Sequence, residues 1–175
     1  MNQKKPQPPL PARLLRHLAG SRASARRAFP SDTLKAIQAA IGAGEQRHRA
    51  QVKLIVEAAL SLGAVWRGET SRQRAHELFA RYRIWDTEEN CGVLLYVNLA
   101  DHKVEIVADR GVNKLITRAQ WQEVCALAAA GYARGAYREG SLQGLARLDE
   151  LLAAAMPRLD DGHGDNELSD KPVML

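Results

Sequence analysis

Aromatic residues account for only 5% of the chain and cysteine for two positions, Cys91 and Cys125. Neither cysteine has a CxxC partner and both sit among apolar residues, so neither a disulfide framework nor a zinc site is suggested and buried thiols are expected. Long apolar runs are missing too. A membrane-spanning helix needs about 20 predominantly apolar residues, and the Ala/Leu-rich stretches are all broken by Arg, Glu or Asp. Near the N-terminus Arg13, Arg16 and His17 interrupt the leucines before a signal-peptide h-region forms, so a cytoplasmic address is expected. There is no GxSxG, P-loop or GxGxxG, and the five histidines show no HxxxH spacing. Nucleophile-elbow hydrolysis and nucleotide cradling therefore lack their usual motifs.

What is present is the composition of a soluble folding unit, 46% hydrophobic and 26% charged over 175 residues, enough for one domain with appendages. The net charge of +5 is unevenly spread. Residues 1–30 hold Lys4, Lys5, Arg13, Arg16, Arg22, Arg26 and Arg27 without an acid, whereas residues 157–175 set five acids against Arg158 and Lys171. The remainder is nearly neutral, which argues against a specific nucleic-acid-binding core. The expected organisation is a basic, proline-containing arm over 1–29, a domain over 30–157 and an acidic, disordered tail over 158–175. Within the arm, Leu10, Leu14, Leu15 and Leu18 recur at helical spacing between arginines. Such a basic amphipathic helix suits either a bilayer surface or the domain itself.

Along the domain, Ser31 or Asp32 opens a helix carrying Leu34, Ile37 and Ile41 on one face. The β-branched run from Val52 to Ala58 predicts a strand, and the connection from Ser61 to Gly68 has no clear form. Thr70 or Ser71 caps a helix with Ala75, Leu78, Phe79 and Tyr82 inward. Its Arg72, Arg74, Arg81 and Arg83 read as a solvated face. Val93 to Leu99 predicts a strand covered on both sides, and the short Asp101-His102 turn returns the chain as an antiparallel strand over Lys103 to Ala108. Thr117 and Gln120 form a capping-box pair before a third helix, and Leu142, Leu145, Leu148 and Leu152 mark a fourth. Trp66, Trp85 and Trp121 are expected in the core or at its rim. The order predicts an α/β fold: a three-layer α/β/α sandwich around a small mixed sheet, with a parallel βαβ unit plus an antiparallel hairpin.

That threading brings the loops before the first two strands and the loop after the third to one end of the sheet. Asp86, Glu88, Glu89, Asn90 and Asp109 then line one rim, with Glu57 and Asp101 at the other end. Carboxylates with an amide oxygen suit a hard cation, Ca²⁺ or Mg²⁺. The same residues also make turns: Asp86 as a cap, Asn90 as a closer, and Asp109-Arg110-Gly111 as a tight turn with Gly111 at positive φ.

The run RAHELFARYRIWDTEENCGVLLYVNLADHKVEIVADRG, residues 74–111, resembles the TPM domain family, in particular its short bacterial branch lacking signal peptide and membrane span. Trp85 through Glu88, Asn90 and Gly92 through Leu94 match one motif, and Val104 through Gly111 match a second. The flanks Arg26 to Pro30 and Asn166 to Val173 also fit. The resemblance implies the α/β/α sandwich, Ca²⁺ binding at the sheet rim in some members, acid phosphatase activity in a plant member, and assembly roles in others. It carries over Asp86, Asn90 and Asp109 as metal ligands, and it suggests a LemA-type membrane protein as partner. One departure weakens the rim: Ala50-Gln51 stands where the family commonly has Gly-Glu, so a formal charge is lost. The expected function is a non-enzymatic interaction or assembly module near the membrane, with peripheral contact through the arm and an optional divalent cation. A metal-assisted phosphatase is the alternative.

Overall fold

The computed structural model describes residues 8–158 and 167–175. The sequence-based readings on Lys4, Lys5, Asp160, Asp161, His163, Asp165 and Asn166 lie outside those residues. Three strands lie where alternation and β-branching place them: β1 (Gln51–Glu57), β2 (Gly92–Asn98) and β3 (Lys103–Ala108). β1 and β2 pair in parallel with Gln51 opposite Gly92, and β2 and β3 pair antiparallel with Val93 opposite Ala108. The fourth strand, β4 (Val173–Met174), runs parallel to β1 at Ile55 and Val56, so the sheet order is β3-β2-β1-β4.

Strand alternation sends side chains to two separate cores. Val52, Leu54 and Val56 with Val93, Leu95 and Val97 pack against α3 (Ser31–Glu45), α7 (Arg118–Ala133) and α8 (Tyr137–Ala155). Ile55, Leu94, Tyr96 and Val107 pack on the other side against α5 (Ser71–Arg81) through Ala75 and Leu78. The result is the α/β/α sandwich. Local chemistry sets two helix starts as expected: Thr70 with Gln73 and Thr117 with Gln120 form reciprocal capping boxes. α3 differs, since Pro30 occupies its N-cap position and no side chain caps it.

Both appendages depart from simple tails. The arm forms α1 (Leu10–Ala19) and α2 (Arg22–Ala28), and α1 packs on a short helix, α4 (Leu62–Trp66), through Leu14 against Leu60, Ala64 and Val65. Phe29, just past α2, meets Tyr132 edge-on with centroids 5.9 Å apart and Tyr137 at 5.4 Å. At the other end, residues 167–175 return to the sheet and supply β4, with Leu168, Val173 and Leu175 covering the α5-side core. The disordered tail expected over 158–175 is corrected for this stretch. The backbone of β1 leaves an edge to pair, and the apolar residues of the segment gain burial there.

Candidate functional site

The register places the two ends of the sheet as the sequence implies. At the first end, Asp109 N donates to Gly92 O at 2.9 Å and Gly111 N donates to Asn90 O at 3.0 Å, so the loop before β2 and the turn after β3 touch. Asn90, not Gly111, carries the positive φ, at 53°. Gly111 is needed for closeness instead, because a Cβ there would stand 2.6 Å from the carbonyl oxygens of both Glu89 and Asn90. Gly92 is more confined still, since its Cβ would lie 1.8 Å from Ile84 O. The WDTEEN loop is thus held against the sheet by two glycines that permit backbone contact.

Among the expected ligands, Asp109 is the one suited to a cation. Only 9% exposed, it caps the short helix α6 (Arg110–Asn113) by accepting Arg110 N on Oδ1 at 2.6 Å, while its Oδ2 is buried with no hydrogen-bond partner among the described residues. A buried, unsatisfied carboxylate oxygen is costly, and a bound cation is one way to relieve it. The other two residues contribute less. The Asp86 carboxylate is exposed and accepts from Arg83 Nη2 at 2.5 Å, and the Asn90 side chain is exposed. Gln51 Oε1 accepts from Glu167 N at 3.0 Å and Leu168 N at 3.1 Å, so this position at the start of β1 fastens the C-terminal segment. Glu89 pairs with Arg49, and Glu88 N donates to Glu167 Oε2 at 3.0 Å. No three His, Cys, Asp or Glu side chains among the described residues converge as a metal cluster. The residues present therefore offer a cation the Asp109 carboxylate, with the Asn90 backbone at the adjoining turn and Asp86 engaged by Arg83, which is only a sparse site.

The denser polar assembly is at the opposite end of the sheet. Glu57, at the end of β1, accepts from Arg74 Nε at 3.0 Å and Nη2 at 2.7 Å, and from the Tyr96 hydroxyl at 2.6 Å. Arg74 is thus a half-buried structural partner, correcting the reading of that helix face as wholly solvated. Asp101 Oδ1 accepts from Arg13 Nε at 2.9 Å and pairs with His17 Nε2 at 3.1 Å, and its Oδ2 accepts from Arg13 Nη2 at 2.8 Å and Ser71 Oγ at 3.0 Å. Leu60 N donates to His17 Nδ1 at 3.0 Å, which fixes the tautomer with the proton on Nε2, aimed at Asp101. Burial pushes the Asp101 carboxyl up, but the Arg13 and His17 hydrogen bonds outweigh it and hold the group at about 2. Every oxygen of this cluster is engaged, which marks it as a latch for α1. Sequence spacing alone could not find it, because Arg13 and His17 stand more than 80 residues from Asp101.

The thiols are poor nucleophiles. Burial pushes Cys91 up, and it pushes Cys125 up to about 12. Of the tryptophans, Trp121 packs against the larger core, while Trp66 and Trp85 are exposed, correcting their expected placement.

No curated protein matches this chain. A similar solved structure is the NMR structure of the BA42 protein from the psychrophilic bacterium Bizionia argentinensis, with TM-score 0.73 and 21% identity over 84% of this chain and 95% of that one. At that identity the likeness speaks for the fold. The TPM domain model matches residues 25–151, from the end of α2 into α8, spanning both rim motifs, and the chain belongs to the TPM domain family.

Proposed function

We propose that this TPM domain is a non-enzymatic interaction module that meets a membrane-associated partner, with a LemA-type protein as the partner class the family resemblance suggests. One observation carries the reading. Large apolar side chains left in water concentrate on α1 and α4, the two helices at the latched end, while the buried carboxylates Glu57 and Asp101 are fully engaged by neighbours. Saturated polar groups hold the scaffold, and exposed apolar ones are what a partner can cover. The test is affinity capture with wild type and with Leu15→Ser/Leu18→Ser, whose altered residues are exposed and so leave the latch whole. Loss of one specific membrane-associated partner from the variant is expected. An identical partner set would remove α1 from the reading.

A second reading, a metal-assisted phosphatase, is favoured by the unpartnered Asp109 oxygen. Asp109 would hold a divalent cation, with Asn90 and Asp86 as neighbouring oxygen donors, and the cation would supply electrostatic activation of water. Hydrolysis of an aryl phosphate that disappears in Asp109→Asn and on chelation would support it. Hydrolysis that persists in both would refute it.

A further inference from the structure

Five of the seven large hydrophobic side chains exposed among the described residues lie on α1 and α4: Leu10, Leu15, Leu18, Leu62 and Trp66. Leu15 and Leu18 are 66% and 67% exposed and Trp66 is 71% exposed, although each belongs to a helix that buries other residues, Arg13 and His17 on α1 and Ala64 and Val65 on α4. Helical spacing explains how. On α1, Arg13 and His17 turn to Asp101 and Leu14 turns to Leu60, Ala64 and Val65, which leaves Leu15 and Leu18 on the outward side. On α4, Ala64 and Val65 fill the seam, which leaves Leu62 and Trp66, four residues apart, as an exposed pair.

Basic residues predominate around these side chains, the nearest acid in sequence being Glu69, three residues past Trp66, whose backbone carbonyl accepts from Arg13 Nη2 at 2.6 Å. Arg16, Arg22, Arg26 and Arg67 are exposed, and neither residues 1–31 nor residues 58–68 contain an acid. Arg13 is spent on Asp101, but the others have flexible stems able to reach anionic groups at the edge of an apolar contact. Leucines to insert, a tryptophan suited to the headgroup level and arginines in excess over acids are complementary to a bilayer surface bearing anionic lipid. One narrow amphipathic helix binds such a surface weakly, and α4 supplies a second apolar contact rigidly attached to the first. The latch matters here because Arg13, His17 and Leu14 hold α1 against the domain with its other leucines outward.

We propose that the α1–α4 face docks peripherally on anionic bilayers, with Leu15, Leu18, Leu62 and Trp66 entering the headgroup region and Arg16, Arg22, Arg26 and Arg67 meeting lipid phosphates. This deepens the interaction-module reading and rests on it: the face that meets a membrane-associated partner is seated on the bilayer when it does so.

The full chain should be sedimented with vesicles of phosphatidylcholine alone and of phosphatidylcholine mixed equally with phosphatidylglycerol. In a Trp85→Phe/Trp121→Phe background, Trp66 is the remaining tryptophan and its emission reports insertion. Binding only to the anionic vesicles, a blue shift of Trp66, and a loss of about tenfold or more in Leu15→Ser/Leu18→Ser are the expected results. Arg16→Gln/Arg67→Gln should weaken binding without altering the thermal melt. Binding that survives the serine substitutions would trace to arm charge alone and overturn the proposal. Failure to bind anionic vesicles, with partner capture still lost in the same serine variant, would overturn the lipid assignment and leave the protein-interaction reading standing. Failure of both would sink the two together.

Discussion

Arg13 and Asp101 are 88 residues apart in sequence and joined by two hydrogen bonds, Nε to Oδ1 at 2.9 Å and Nη2 to Oδ2 at 2.8 Å. Both side chains are almost wholly buried. A planar guanidinium facing a carboxylate at two points is a specific, orientating contact. It makes the arm part of the domain, and it fixes which leucines of α1 face water.

Asp101→Ala should therefore cost about 3–5 kcal/mol, because it strands a buried guanidinium and also removes the partner of His17 and Ser71. Urea unfolding measures the loss, and trypsin should cut faster at Arg16 and Arg22 as α1 loosens. The pair also makes acid unfolding specific. The Asp101 carboxyl is held at about 2 against an ordinary 3.8. A depressed acid contributes stability that is full above 3.8 and is lost as pH falls through 2. The contribution is about 2 kcal/mol. Asp101→Asn should lack that part of the acid dependence, and an unchanged profile would contradict the assignment.

Glu45, at the end of α3, gives a dependence of opposite sense. Its Oε1 accepts Val52 N at 2.7 Å, fastening the helix to β1. Burial above all, with Asp170 and Asp149 adding in the same direction and the Val52 hydrogen bond only partly offsetting them, raises its carboxyl to about 8. Lys53 lies nearby, its own pKa lowered by burial and its ammonium donating to Ser169 O and Lys171 O. A carboxyl raised from 4.5 in the folded state stabilises it fully below 4.5, and that contribution is lost as pH rises through 8. Glu45→Gln keeps an acceptor for Val52 and cannot ionise. Its melting temperature should gain on wild type steadily from pH 5 to pH 8, by several kcal/mol in total or roughly 10 °C. A constant difference across that range would refute the protonated Glu45.

Gly92 tests the contact that holds the rim loop. Alanine there would place a methyl 1.8 Å from the Ile84 carbonyl, where no side chain can yield. Gly92→Ala should destabilise by about 3 kcal/mol or more, measured by denaturant unfolding, whereas alanine at Gly63, whose nearest neighbour is a flexible Arg67 end at 3.4 Å, should cost little.

Much of this fold is legible because local rules and tertiary packing agree. Thr70 and Thr117 each have a glutamine three residues on, and the capping boxes form where those pairs stand. Val93 to Val97 reads as a strand buried on both faces because helices cover both sides of this inner strand, α5 over Leu94 and Tyr96 and the α3–α7–α8 layer over Val93, Leu95 and Val97. What escapes the sequence depends on distant partners. α4 is one turn of helix, stabilised by Leu14 from the arm, and β4 is two residues long, so neither has a periodicity to read. The rim was legible in its topology, since Asn90 and Asp109 do come to one end, but not in its bonding. Asp86 turns to Arg83, and Gln51 is occupied by the backbone of Glu167 and Leu168. Those contacts depend on side-chain direction and on a returning segment, neither of which residue spacing encodes.

Gln51 offers the last test, because it stands in one row across the sheet with Gly92 and Asp109. Its neutral oxygen already accepts two backbone donors, and a carboxylate in its place can accept the same two while adding the charge that the rim lacks. With Asp109 Oδ2 buried and unpartnered nearby, Gln51→Glu should melt lower than wild type in chelator, since like charges then share the rim. Calcium at about a hundredfold excess over its dissociation constant should raise that melt by about 5 °C or more. Wild type, with one suitable carboxylate, should need higher calcium for a comparable rise. Asp109→Asn should abolish the response in both backgrounds. A calcium response in Gln51→Glu that survives Asp109→Asn would place the cation elsewhere on the protein.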